Sequence, residues 1–290
     1  MHRALHLYVA VTFVAAPLAA QARDTTSTRR VPALSAEDLV YAGGVAVATL
    51  AVTPLDKRLA DFLQTHRQKN RGLRRLSHTV ETIAVPGAFI IGGGLYVGGR
   101  LAGNEDVADL GLHSTEAVVI GHVVVAVLKV TTGRARPYVS RDRPHDFKFG
   151  RGLRQDAYRS FPSGHAVTAF AGAAAVTEET RRWWPGSVWY IAPVMYGGAT
   201  MVGISRMYNN QHWASDVLMG GAIGVFTGRR VVRWHHSHPG NKLDRWLLGI
   251  SIAPNPDGGG HTIRLIATPD HSWQTFVRRP DDRRSDRRAR

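Results

Sequence analysis

Three short stretches of the chain gather the residue types that bind anions and move protons. In 205–216, Ser-Arg-Met-Tyr-Asn-Asn-Gln-His-Trp-Ala-Ser-Asp, the guanidinium of Arg206, the imidazole of His212 and the carboxylate of Asp216 follow one another. His212 and Asp216 are four apart, which on a helix puts them on one face, where a carboxylate can hold an imidazole in one orientation and tautomer. Arg206, six residues before His212, can reach a shared ligand from another direction. By itself this trio is more commonly a helix entrance with solvated charges, so the other two stretches decide its meaning.

The second stretch runs from Lys129 to Pro137 and closes a long apolar run with a lysine, then an Arg-Pro pair seven residues on, Arg136 and Pro137. Lys129 stands where the helix should end, Gly133 frees the backbone and Pro137 stops any continuation, which fixes two cations near each other. The third stretch, Ser160-Phe161-Pro162-Ser163-Gly164-His165, opens the next apolar run. Its backbone N–H groups, the Gly164 N–H among them, and the Ser163 hydroxyl then point beyond a helix N-terminus, the ordinary setting of an anion site. His165 is placed to protonate whatever binds there. Each piece has a plain alternative: Lys129 and Arg136 as helix-end charges, Ser163 as an N-cap, His165 as a first-turn polar residue. Together they supply three cations, helix-terminal donors and two imidazoles with one carboxylate, a set that fits a tetrahedral oxyanion. Which imidazole attacks and which carries the proton is left open by the residues alone.

Lys-x6-Arg-Pro at 129–137, Pro-Ser-Gly-His at 162–165 and Ser-Arg-x5-His-x3-Asp at 205–216 resemble, in residue and spacing, the three signature motifs of the type 2 phosphatidic acid phosphatase and vanadium haloperoxidase superfamily. The helices that carry them extend the resemblance to about 35–232. It implies an all-α core and metal-free hydrolysis of a phosphate ester through a phosphohistidine. Carried over to this chain, it makes His212 the nucleophile, Asp216 the group that orients it, and His165 the general acid. Lys129, Arg136 and Arg206, with Ser163 and the Gly164 N–H, would hold the phosphoryl oxygens. No metal is implied at this site and no cofactor, except vanadate if the haloperoxidase branch applies. Arg134 is an extra cation beside the motif, read as solvated.

The elements that must position these residues read as helices. Ser35-Ala36-Glu37-Asp38 is a helix start with acids in the first turn, and apolar runs follow at 39–55, 82–99, 110–128, 166–176, 188–204 and 213–226. The run at 82–99 is expected to break at Pro86 and at Gly92-Gly93-Gly94, and 103–106 is a turn. The basic segment 56–80 reads as amphipathic helix and loop, with Leu59, Phe62, Leu63, Leu73 and Leu76 as its buried side. The fold class is therefore all-α, a bundle of about six core helices, with a short C-terminal β-hairpin expected within 243–277 from two β-rich runs around Pro254-Asn255-Pro256-Asp257-Gly258-Gly259-Gly260. His235, His236 and His238 look like a metal tract but have no carboxylate near them in sequence, so no metal is expected there.

At the chain's start, His2 and Arg3 precede an apolar run over 5–20 and an Ala20-Gln21-Ala22 site, the pattern of a secretory signal peptide covering 1–22. Residues 23–34 read as a flexible lead-in and 278–290, almost purely charged, as a disordered basic tail. The chain has 290 residues, 44% of them hydrophobic, which is ample for a packed core. With no cysteine, disulfides, thiolate zinc sites and a cysteine nucleophile are excluded. The formal charge of +15 is concentrated in 57–75, 129–159 and 278–290. Such clusters attract anions of any kind. A nucleic-acid partner is not expected, because it explains neither the His–Asp pairing nor the export signal. The expectation is a phosphatase acting on a phosphorylated lipid or prenyl diphosphate, membrane-embedded or membrane-associated in a bacterial-type envelope, with its site on the periplasmic side. A soluble phosphomonoesterase and a vanadate-dependent haloperoxidase are the alternatives on the same fold.

Overall fold

A computed structural model describes residues 32, 35–238, 250–254 and 261–265. The signal peptide, most of the lead-in and the basic tail expected from the sequence lie outside the described residues. Seven α-helical segments run in order: α1 (Ala36–Val52), α2 (Asp56–Lys69), α3 (Arg71–Ala102), α4 (Glu105–Thr132), α5 (Gly164–Trp183), α6 (Val188–Tyr208) and α7 (Ala214–Ser237). A single 3-10 turn at Thr53–Leu55 joins α1 to α2, so the segments make six rods. The start at Ser35 is a full capping box, with Ser35 and Asp38 each bonding the other's backbone N–H. Two extended segments, β1 (Ile250–Pro254) and β2 (His261–Leu265), pair antiparallel with Ile250 opposite Leu265. The residues that join and flank them lie outside the described residues, so the hairpin expected over 243–277 is not established as an element of the fold.

The centre of the bundle is α5, which packs against α3, α4, α6 and α7. Ala166, Val167, Ala171, Ala173, Ala174 and Ala175 are all buried, and their small side chains let neighbours approach from every side. α3 does not break at Pro86 or at the three glycines; it runs unbroken for 32 residues. Of the three glycines, Gly92 serves close packing, since a Cβ there would sit 2.3 Å from Thr115 Oγ1 of α4, while at Gly93 and Gly94 a Cβ would meet nothing within 4 Å. Gly111 of α4 lies so near α3 that a Cβ there would sit 2.2 Å from the Tyr96 nitrogen. α5 likewise continues past 176, because the polar turn holding Glu178 and Glu179 is buried against α7 and finds partners there.

Three rods, Ala36–Thr65, Arg71–Ala102 and Glu105–Thr132, are long and apolar enough to cross a membrane. Their outward faces carry exposed apolar side chains such as Val40, Leu50, Ile90 and Val123, and the chain is membrane-embedded on this reading. The amphipathic assignment of 56–80 holds for Leu59 and Leu63, which are partly buried, and is corrected for the other three. Phe62, Leu73 and Leu76 point outward, while the side turned toward the protein carries Asp56, Ala60, Gln64 and Ser77. Arg58, Arg71, Arg74 and Arg75 are exposed as well, so this segment turns both apolar and charged side chains outward.

Candidate active site

The C-terminal ends of α4 and α6 and the N-terminal ends of α5 and α7 meet at one end of the bundle, and all three motifs lie there. The loop between α4 and α5 folds over the same end. Its path depends on Gly133, which ends α4 in the left-handed region at φ 57° and whose Cβ, if present, would be 1.9 Å from the Lys148 carbonyl oxygen. That turn swings Arg134 inward and Arg136 toward the 205–216 stretch.

His212 is 3% exposed, and its Nδ1 lies 2.7 Å from the Ser160 carbonyl oxygen. A carbonyl only accepts, so Nδ1 carries the proton and Nε2 is left as a free base. The orienting bond therefore comes from Ser160, whereas Asp216 Oδ2 is 3.8 Å from Nδ1, beyond a hydrogen bond. Asp216 acts one step away: its Oδ2 accepts from the Ser160 hydroxyl at 2.5 Å and from the Trp213 N–H at 2.9 Å. Burial pushes the His212 imidazole down to about 3, and the Lys129 and Arg136 charges add to this against the opposing pull of Asp216. The Asp216 carboxyl is held at about 2: its burial would raise it, but the Arg134 charge and the contacts with His212 and Ser160 outweigh that.

Arg134, expected to be solvated, is instead 1% exposed and one of the largest buried side chains. Its Nη1 donates to Asp216 Oδ1 at 2.5 Å and to the Ser215 hydroxyl at 2.7 Å, and its Nη2 donates to Asp56 Oδ2 at 2.7 Å. Asp56 in turn accepts from the Ser215 N–H and hydroxyl at 2.9 and 2.6 Å. The guanidinium lies against the Trp213 ring, 5.6 Å from its centre. A buried charge needs partners on every side, and this one has two carboxylates. Sequence reasoning missed Asp56, Ser160 and the burial of Arg134. Asp56 has no local signal, being 160 positions before Asp216, and Arg134 was visible only as a neighbour of the motif.

The remaining expected residues surround this core. Lys129 Nζ donates to the Arg159 carbonyl at 3.0 Å. Arg136 pairs with Asp156 Oδ2 at 3.0 Å and bonds Gln211 Oε1. Arg206 is 3% exposed and pairs with Glu81, which also accepts from Asn209 Nδ2 at 2.5 Å. The Nε of Arg206 is buried without a hydrogen-bond partner, a donor suited to an added anion. Ser163 caps α5, its hydroxyl accepting from the Ala166 N–H at 3.4 Å while its own N–H donates to the Asp216 carbonyl at 3.0 Å. Gly164 begins the helix, where first-turn N–H groups have no intrahelical acceptor. His165 follows, its imidazole pushed down to about 4 by burial and then by the Arg206 charge. All eight expected residues are thus at one end of the bundle.

A helical membrane bundle that gathers an imidazole free base and several cations at one end holds the groups that phosphoryl transfer needs. Residues 111–239, which hold all three motifs, match the model of the PAP2 superfamily. The lipid A 1-phosphatase of Porphyromonas gingivalis is 48% identical over 133 residues, 45% of this chain and 25% of that protein. The undecaprenyl-diphosphatase of Sulfolobus acidocaldarius is 25% identical over 145 residues, 48% of this chain and 61% of that protein. The chain therefore spans less than two thirds of the length of either relative. In fold it is similar to the transmembrane PAP2 type phosphatidylglycerolphosphate phosphatase of Bacillus subtilis, with a TM-score of 0.50 and 21% identity over 67% of this chain and 92% of that one.

Proposed function

We propose that the protein is a metal-independent phosphatase that hydrolyses a lipid phosphate or a prenyl diphosphate through a phosphohistidine. The observation that carries this reading is the His212 Nδ1 bond to the Ser160 carbonyl, which leaves Nε2 unprotonated beneath Lys129 and Arg136. In the first step Nε2 forms a bond to phosphorus as the phosphorus–oxygen bond to the leaving group breaks, and His165 gives that oxygen a proton. In the second, water attacks the phosphohistidine, His165 takes the proton, and phosphate leaves with His212 restored. Lys129, Arg136 and Arg206, with Ser163 and the Gly164 N–H, hold the phosphoryl oxygens, and their charge does the work that a metal does elsewhere. Arg134 and Ser160 transmit the position of Asp216 to His212.

The substrate class follows from the three apolar rods and from the lipid A 1-phosphatase and undecaprenyl-diphosphatase activities named for the relatives. A site at the end of such rods lies within reach of headgroups. We place residues 35–232 as the catalytic domain, preceded by an export signal at 1–22 and a lead-in at 23–34, followed by an accessory hairpin at 243–277 and a basic tail at 278–290, with the site on the periplasmic side. The test is phosphate release by the purified protein from phosphatidate, undecaprenyl diphosphate, phosphatidylglycerol phosphate, a lipid A 1-phosphate and a soluble aryl phosphate. Turnover of one or more lipid substrates well above the aryl phosphate, abolished in His212→Ala, is expected. Preference for the aryl phosphate, or substantial turnover by His212→Ala, would overturn the substrate class or the nucleophile respectively.

A further inference from the structure

The opposite end of the bundle carries a second cluster of ionisable side chains that plays no part in the phosphate chemistry. His113 on α4, Glu179 on α5 and His236 on α7 each offer a ligand atom, and these atoms lie within 4.8 Å of one another. His113 Nδ1 is 2.5 Å from Glu179 Oε1, and His236 Nε2 is 3.0 Å from both Glu179 oxygens. Around them, His235 Nε2 is 2.6 Å from Glu116 Oε2, and its ring packs 4.3 Å from that of His113. The His235-His236 tract, unpromising as a metal site for want of a nearby carboxylate in sequence, meets Glu179 and Glu116 through folding. Along α4 the distance from His113 to Lys129 is about 24 Å at 1.5 Å per residue, so this cluster is separate from the phosphate cage.

We propose that His113, Glu179 and His236 form a binding site for a divalent transition-metal ion of the zinc class, which ties α4, α5 and α7 together at this end. Three observations carry it. The donor set, two imidazole nitrogens and a carboxylate, is one that zinc accepts and that calcium and magnesium, which favour all-oxygen shells, do not. The Glu179 carboxylate is completely buried and has imidazoles on two sides, so one ion can replace the protons shared across both contacts. The third is packing: the His113 ring lies against those of His235 and His236, which holds its Nδ1 toward Glu179. Ligand atoms around tetrahedral zinc stand roughly 3.3 Å apart for bonds of about 2.0 Å, which small side-chain shifts here would reach. Glu116, holding His235 against His113, is the kind of outer carboxylate that steadies a metal-binding ring. A groove lined by Glu116, Ile120, Trp234 and His235 lies beside the cluster.

The experiment uses tag-free, full-length protein in detergent, treated with chelator and titrated with zinc chloride, with cobalt(II) as a spectroscopic stand-in. Near-stoichiometric binding is expected, with a melting temperature raised by several degrees and a visible cobalt spectrum of tetrahedral intensity. His236→Ala and Glu179→Gln should each weaken zinc binding at least a hundredfold, while His238→Ala, whose ring stacks on Trp234 away from the ligand atoms, should bind as the native protein does. Should Glu179→Gln fail to fold, His236→Ala decides alone, since that side chain is 21% exposed and tolerates truncation. Absence of saturable binding, or an equal melting shift in His236→Ala, overturns the proposal.

Discussion

At the scale of single residues, the site is organised by which nitrogen of each histidine carries a proton. The His212 imidazole, pushed down to about 3, is a free base at any ordinary assay pH. The general-acid role proposed for His165 meets the opposite difficulty, because at about 4 it is neutral in the free protein near pH 6.5. A bound phosphoryl dianion supplies the negative charge that makes protonation favourable again, so binding should draw a proton in. Calorimetry of a phosphate mimic such as tungstate, in two buffers of different ionisation enthalpy at pH 6.5, should show uptake approaching one proton, reduced in His165→Gln. Arg134 is the second residue whose part can be measured. Arg134→Met leaves the Asp56 and Asp216 carboxylates buried and unpaired, which should cost on the order of 3–5 kcal/mol and appear as a large drop in melting temperature. The Asp56→Asn, Arg134→Met double variant should recover part of it, and turnover should remain low in both because Asp216 still lacks its clamp.

Among the elements, the turn after α4 has the most to decide. Gly133 holds a left-handed conformation and sits where a Cβ would collide with the Lys148 carbonyl. Gly133→Ala adds the left-handed penalty of about 1–2 kcal/mol to that collision, and the chain must shift to relieve it. The expected result is a lowered melting temperature together with phosphate release reduced at least tenfold, since Arg134 and Arg136 both follow the turn. An equal substitution at Gly172, where a Cβ would meet nothing within 4 Å, should leave turnover unchanged. The helix start at Ser35 was readable from residue type, and so was a turn at 103–106, where Gly103 ends α3 in the left-handed region and Asn104 caps α4. The continuity of α3 through Pro86 was not, because neighbouring helices and small local adjustments let a membrane helix tolerate a proline.

The whole molecule is set by its surroundings. Three long apolar rods with exposed apolar side chains describe a bundle seated in a membrane. Membranes carrying the protein should retain it through both high-salt and alkaline carbonate washes, as spanning helices do and peripheral proteins do not; release into the supernatant would remove the spans. EDTA should leave phosphate release unchanged while lowering the melting temperature, because the phosphate cage relies on cations of the chain and the proposed zinc lies at the other end. Loss of turnover restored by added metal would contradict the metal-free chemistry. Trp184 and Trp189, exposed near the end where Glu179 lies, are suited to one membrane interface, with the phosphate cage toward the other.

The sequence by itself determined the helical class, the three motifs and the eight residues that converge, because helix caps, apolar runs and motif spacing are local properties that survive without coordinates. Tertiary structure alone decided the rest. Which carbonyl fixes the His212 tautomer, why Arg134 is buried and where Asp56 belongs are questions of contact between residues far apart in the chain, and no spacing rule encodes them. The same holds for His113, Glu179 and His236, which lie on three helices and come together only when those helices pack. Which side chains of 56–80 meet the protein was likewise decided only by packing, since a periodicity of polar and apolar residues gives two faces but does not say which of them is covered.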